Sequence, residues 1–89
     1  MANPQYKQFP KGDARRYFSI LLAIHRLKER ATIHYVAQDV DCNRMDVLRA
    51  LEVLATQYWV RFDREGFTYQ ITSWGVLQRK VLIEFLNTN

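Results

Sequence analysis

Tyr17, Ile20, Leu21, Ile24 and Leu27 recur at three- and four-residue spacing, which predicts a first amphipathic helix. Asp13 is placed to cap it, and Lys28-Glu29-Arg30 closes it. Val36, Ala37 and Val40 mark a second, shorter helix, with Thr32 as its cap. Asp41-Cys42-Asn43 interrupts that run, with Cys42 as a small hydrophobe at the elbow, and Val47, Leu51, Leu54 and Tyr58 then share one face of a third helix. This helix spans Arg44 to roughly Gln57. Asn43 suits its cap, and Asp46, three residues on, can reach back to complete a capping box.

After Tyr58 the period falls to two. Trp59-Val60-Arg61-Phe62 and Phe67-Thr68-Tyr69-Gln70-Ile71 predict two strands of a hairpin, with Asp63-Arg64-Glu65-Gly66 as the loop. Val60, Phe62, Tyr69 and Ile71 then face inward, and Arg61 and Gln70 outward. Ala31-Thr32-Ile33 is a candidate weak third strand. A last helix is expected from about Ser73 to Leu86, with Leu77, Val81 and Phe85 on the face covering the domain. Residues 1–12 hold both prolines and no sustained period, and read as a flexible arm in which Tyr6 or Phe9 can pack locally. The expected fold class is therefore α+β, mainly α: a three-helix core, a β-hairpin and a C-terminal helix, in one domain over residues 13–89.

Composition narrows the functional classes. A chain of 89 residues with 48% hydrophobic side chains can build one modest core without metal or disulfide. Its single cysteine allows no internal disulfide and suits a reducing compartment. The opening Met1 to Lys7 lacks an apolar signal core, and no apolar run approaches membrane-spanning length, so a cytoplasmic location and no membrane partner are expected. The net charge of +4 favours a polyanionic partner. Neither a Gly-rich phosphate loop nor a Ser/His/Asp constellation occurs, and His25, His34, Asp39, Asp41 and Cys42 lack metal-ligand spacing. Neither an enzyme, a metal nor a cofactor is expected.

The element order, together with Tyr69-Gln70-Ile71-Thr72-Ser73-Trp74-Gly75, resembles the winged helix-turn-helix superfamily, in particular small regulators of the MarR and PadR kind. In many of these the second strand of the wing ends in an aromatic, any residue, an aliphatic and a threonine, with a glycine three residues later. The resemblance runs from about Ala14 to Leu86. It departs at Asp41, where a turn glycine is common, and at Tyr58, where a glycine usually precedes the wing.

That resemblance implies sequence-specific binding of double-stranded DNA by a small transcriptional regulator that occupies an operator. The third helix becomes the recognition helix, with Arg44, Met45, Asp46 and Arg49 as base readers. Lys11, Arg15, Arg16, Asn43, Arg61 and Arg64 are the candidate contacts to the DNA backbone, with Lys7 beside the first group. On the same third-helix face, Arg49 with Glu52, or Asp46 with Arg49, can instead pair as ordinary surface charges. A homodimer is expected because one recognition helix reads few base pairs, with Leu82, Ile83 and Leu86 as its interface. No small-molecule effector is expected in so short a chain. The alternative function is a non-catalytic protein-interaction module that uses Met45, Val53, Trp59 and Trp74, and a third is RNA binding.

Overall fold

A computed structural model describes residues 6–86. Among them are four α-helices and one antiparallel hairpin, in the order α1 (Arg15–Leu27), α2 (Ile33–Val40), α3 (Arg44–Gln57), β1 (Arg61–Glu65), β2 (Thr68–Ser73) and α4 (Arg79–Leu86). The chain is thus an α+β domain, mainly helical. No described helix is long and apolar enough to cross a membrane.

α1 is the central element. Its seven residues from Phe18 to Ile24 are all buried, because the helix is covered on two sides. Ile20, Ala23 and Ile24 pack with Val36, Ala37 and Val40 of α2 and Val47 and Ala50 of α3. Phe18, Leu21 and Leu22 pack with Leu54, Val60, Leu82 and Leu86. Burying each such Val, Leu, Ile or Phe side chain contributes about 1.5–3 kcal/mol before conformational entropy is counted. Ser19, buried among them, donates its hydroxyl to the Arg16 carbonyl at 2.7 Å. Asp13 accepts the Arg15 amide at 2.9 Å just ahead of α1, but the cap position falls one residue later than expected, on Ala14, which makes no side-chain cap bond. Arg26 pairs with Asp39 at 2.5 Å and ties α1 to α2.

Local chemistry sets the α2–α3 junction. Thr32 accepts the Tyr35 amide to cap α2. Asp41 ends it in the left-handed region (φ 55°, ψ 58°), a conformation that Asp tolerates better than most residues. The Cys42 amide donates back to the Ala37 carbonyl at 2.9 Å, closing the turn. α3 then begins with a full capping box between Asn43 and Asp46.

In the hairpin Phe62 lies opposite Ile71, Arg64 opposite Tyr69 and Glu65 opposite Thr68. The expected four-residue loop is really Gly66-Phe67 alone. Asp63, Arg64 and Glu65 belong to β1, because a strand with one solvated face accommodates charged side chains. Gly66 has φ +62°, which suits the first central position of a tight primed turn. The weak third strand is reduced to a single bridge between Thr32 and Thr68, with the Tyr69 amide donating to the Ala31 carbonyl at 2.9 Å.

Further expectations need correction. Residues 6–12 are not a free arm: Tyr6 and Phe9 are each only 5% exposed and join the two halves of the core. Residues 1–5 of that arm lie outside the described residues. Before the hairpin, the left-handed residue is Trp59 (φ 62°), while Tyr58 keeps φ −118°. The last helix starts at Arg79 rather than Ser73, because β2 runs through Ser73, Gly75 is left-handed and the Val76 amide is held by the Tyr58 carbonyl at 3.0 Å. The shorter α4 turns Leu82 and Leu86 into the core, at 3% and 2% exposure, and leaves Val81, Ile83 and Phe85 outside. Leu82 and Leu86 are therefore packing residues of this domain and cannot form an outer interface face.

Candidate functional site

α3 buries Val47, Ala50 and Leu54, which fixes the rotation of the helix. Arg44, Met45, Leu48, Arg49, Glu52 and Thr56 consequently fall on the exposed side. Met45 is 65% and Leu48 42% exposed, so an apolar strip runs between the two arginines. Leu48 was missed by sequence reasoning because a leucine in an amphipathic helix counts as core by default. Asp46 requires a correction: its carboxylate accepts the Asn43 amide at 3.2 Å and is half-buried, so it caps the helix instead of reading a base. Asn43 is occupied in the same way, its side-chain oxygen accepting the Asp46 amide at 2.9 Å. Of the four expected base readers, Arg44, Met45 and Arg49 remain on the outer face.

Beside the first turn of α3 lies a shallow cleft lined by Thr32, Ile33, His34, Tyr35, Arg44, Arg64, Phe67 and Tyr69. It joins the start of α2, the start of α3 and the hairpin tip. Strand pairing puts Phe62, Arg64, Tyr69 and Ile71 on one face of the hairpin, so Arg64 projects toward the helices. The Arg64 guanidinium stands 5.5 Å from the Tyr69 ring centre and 5.9 Å from that of Phe67. Its Nε donates to the Gly66 carbonyl at 2.9 Å, which holds the side chain in place. Arg30 stacks over Tyr35 at 5.4 Å, and His34 meets the same ring edge-on at 5.4 Å. Arg30, His34 and Tyr35 were not singled out for this site. They come from a different helix junction, which the Thr32–Thr68 bridge and the Tyr69–Ala31 hydrogen bond bring to the hairpin.

The cleft lining contains no carboxylate. Asp63 and Glu65, which surround Arg64 in sequence and would cancel its charge, alternate to the opposite face of β1. The strand register shifts between Arg61 and Phe62, and Arg61 does not line the cleft that holds Arg64. Arg61 lines another groove, with Ala55, Thr56, Trp59, Val60, Phe62, Ser73, Gly75 and Val76. Trp59, 71% exposed, and Val76, 68% exposed, are the apolar side chains of that second face.

Arg15 and Arg16 serve the fold, which corrects their expected role as backbone clamps. Arg15 grips Asp13 through Nε and a terminal nitrogen, at 3.0 and 2.6 Å, and lies over the Phe9 and Phe85 rings. That grip, above all the side-chain hydrogen bond, holds the Asp13 carboxyl below its ordinary pKa. Arg16 donates to the Phe9 carbonyl at 2.8 Å and stacks on Tyr6 at 4.7 Å. Lys11 is exposed. Lys7 is also exposed and lies near enough to the α2–α3 turn to act on Cys42. The Cys42 thiol is half-buried and pushed up to about 11, first by burial and then by Asp46 and Asp41. It stays protonated at neutral pH and is a poor nucleophile and metal ligand. Among the described residues, no three His, Cys, Asp or Glu side chains stand close enough together to hold a metal.

The geometry can do two things chemically. The α3 face offers forked donors and apolar contacts spaced along about one and a half helical turns. The adjoining cleft offers Arg44 and the braced Arg64 beside aromatic faces, which suits a phosphate chain. Comparison of the chain with protein-family models, with curated proteins and with solved structures finds no match.

Proposed function

We propose that this chain is a winged helix-turn-helix protein that binds double-stranded DNA sequence-specifically and acts as a small transcriptional regulator by occupying an operator. The observation that carries this reading is the carboxylate-free cleft, in which Arg44, Arg64 and His34 converge beside the exposed α3 face. α2 and α3 would be the two helices of the motif, α3 the recognition helix and β1–β2 the wing. With α3 in the major groove, Arg44, Met45, Leu48 and Arg49 face base edges, and the cleft receives the sugar–phosphate backbone leaving the groove. Homodimerisation belongs to the same proposal, since two half-sites lengthen the sequence read. Ile83, with Val81 and Phe85, is the apolar surface α4 leaves for it.

Arg49 tests base reading. It lies past the first turn of α3, where the helix backbone holds it firmly, and among the described residues it makes no ion pair. A forked contact to guanine is worth about 1–3 kcal/mol of discrimination, roughly ten- to a hundredfold in affinity. Sites selected by the wild type from a random duplex library should share a guanine at one position per half-site. Arg49→Ala should lose that preference, and Arg49→Lys should keep the attraction without restoring the choice of base. An unchanged selected sequence with Arg49→Ala would remove α3 from base recognition.

A second reading is favoured by one observation. Trp59 is left-handed and 71% exposed beside Val76, on the face away from the cleft. A protein-interaction module would use that face. Trp59→Ala would then abolish partner capture without touching duplex binding.

A further inference from the structure

Phe67 is more exposed than any other large apolar side chain among the described residues, at 77%. It occupies the second position of the two-residue turn that ends the hairpin, so nothing of the chain extends beyond it on that strand pair. The apex is braced. Gly66 sets the turn with φ +62°, and Glu65 pairs with Thr68 directly behind it. The Thr68 hydroxyl donates to the Glu29 carbonyl at 3.2 Å, and Thr68 bridges to Thr32, so the tip is anchored to the helical body. Arg64 supports the ring from behind, with its Nε held by the Gly66 carbonyl.

A rigid, solvent-exposed ring gains by being covered, and its surroundings limit what can cover it. The cations Arg64 and Arg44 line the cleft that Phe67 joins, and no acid does. A partner must therefore carry dense negative charge and still offer an apolar slot the width of one ring. Stacked base pairs between two phosphate chains meet both conditions. Arg64 cannot itself lead into a groove while its Nε is bonded to Gly66, so the foremost group at the tip is the Phe67 ring.

We infer that Phe67 is a wedge: the hairpin tip enters the minor groove and the ring slides between two adjacent base pairs, unstacking them and bending the duplex. This rests on the duplex-binding reading above and adds DNA deformation to it. Aromatic and aliphatic wedges of this kind kink DNA by about 20–90° toward the major groove. Because pyrimidine–purine steps unstack most readily, the wedge also adds specificity: a TA or CA step at a fixed distance from the bases facing α3.

The test uses the full chain and a short duplex carrying the sequence that the wild type selects from a random library. Donor and acceptor dyes sit at the two ends, and a fluorescent adenine analogue sits at the expected step. Wild type should raise energy transfer and brighten the analogue as the step unstacks. Phe67→Ala should bind about tenfold more weakly, as loss of one base–aromatic stack implies, with neither signal. Phe67→Leu should restore most of both signals, because an aliphatic wedge suffices. The side chain is exposed, so thermal melts of both variants should match wild type. Wild-type binding without any change in energy transfer, or equal bending by Phe67→Ala, would overturn the wedge and leave duplex binding standing. Failure of the wild type to bind any duplex would overturn both.

Discussion

At Gly75 the backbone has φ +62°, and a Cβ there would stand 2.2 Å from the Tyr58 carbonyl oxygen and 2.5 Å from the Trp59 carbonyl carbon. Only hydrogen fits where the chain leaving the hairpin crosses the chain entering it. Gly66 has the same φ of +62° but open space around its Cβ position. Gly75→Ala should therefore lose about 3 kcal/mol or more of stability, combining left-handed strain with a backbone clash, while Gly66→Ala loses only about 1–2 kcal/mol. Urea unfolding of the two variants checks this, and equal losses would contradict it. The glycine itself was legible in the sequence as part of the strand motif, but its reason was not, since Tyr58 and Trp59 lie sixteen and more residues away. Asn43 and Thr32 were legible as caps because capping is decided within four residues. Asp46 suited both a cap and a base reader, and the local bond from the Asn43 amide settles it as the cap.

Among the elements, the three helices of the core were readable because their apolar stripes are long. The start of α4 was not, since Leu77 fits a helical stripe but Gly75 and the Tyr58–Val76 hydrogen bond hold the chain out of a helix there. The hairpin turn was misplaced because Asp63-Arg64-Glu65 looks like a loop and Phe67 like a strand residue. The contact between α1 and the segment leading into α4 has a pH signature. His25 meets Trp74 edge-on at 5.4 Å. Its pKa is held below the ordinary 6.5, first by burial and then by Arg79, Lys28 and Arg26. As the pH falls through 6.5 the unfolded chain takes up a proton that the folded domain resists, so stability is retained above that value and declines below it. The melting temperature should fall as mildly acidic conditions are approached, and His25→Gln should flatten that fall. A variant with the wild-type profile would show that the imidazole is not responsible.

For the whole molecule, a net charge of +4 says little until the fold sorts it. Strand alternation carries Asp63 and Glu65 away from Arg64, and the Thr32–Thr68 bridge brings Arg30, His34 and Tyr35 toward it. The α3 half of the candidate site was legible because one helix presents it. The cleft was not, because it is assembled from three separate segments. Arg15 and Arg16 looked equally available in the sequence, yet Asp13 and the Phe9 carbonyl hold them. If Arg44 and Arg64 engage the phosphates of duplex DNA, as proposed, the salt dependence of binding registers each contact. If one protomer neutralises about five phosphates, log K against log salt should slope by about −4 to −5, and Arg44→Ala and Arg64→Ala should each flatten it by about one. Arg61→Ala, in the other groove, should flatten it less. Duplex binding whose salt slope is unchanged in both Arg44→Ala and Arg64→Ala, or no duplex binding at low salt, would contradict the account.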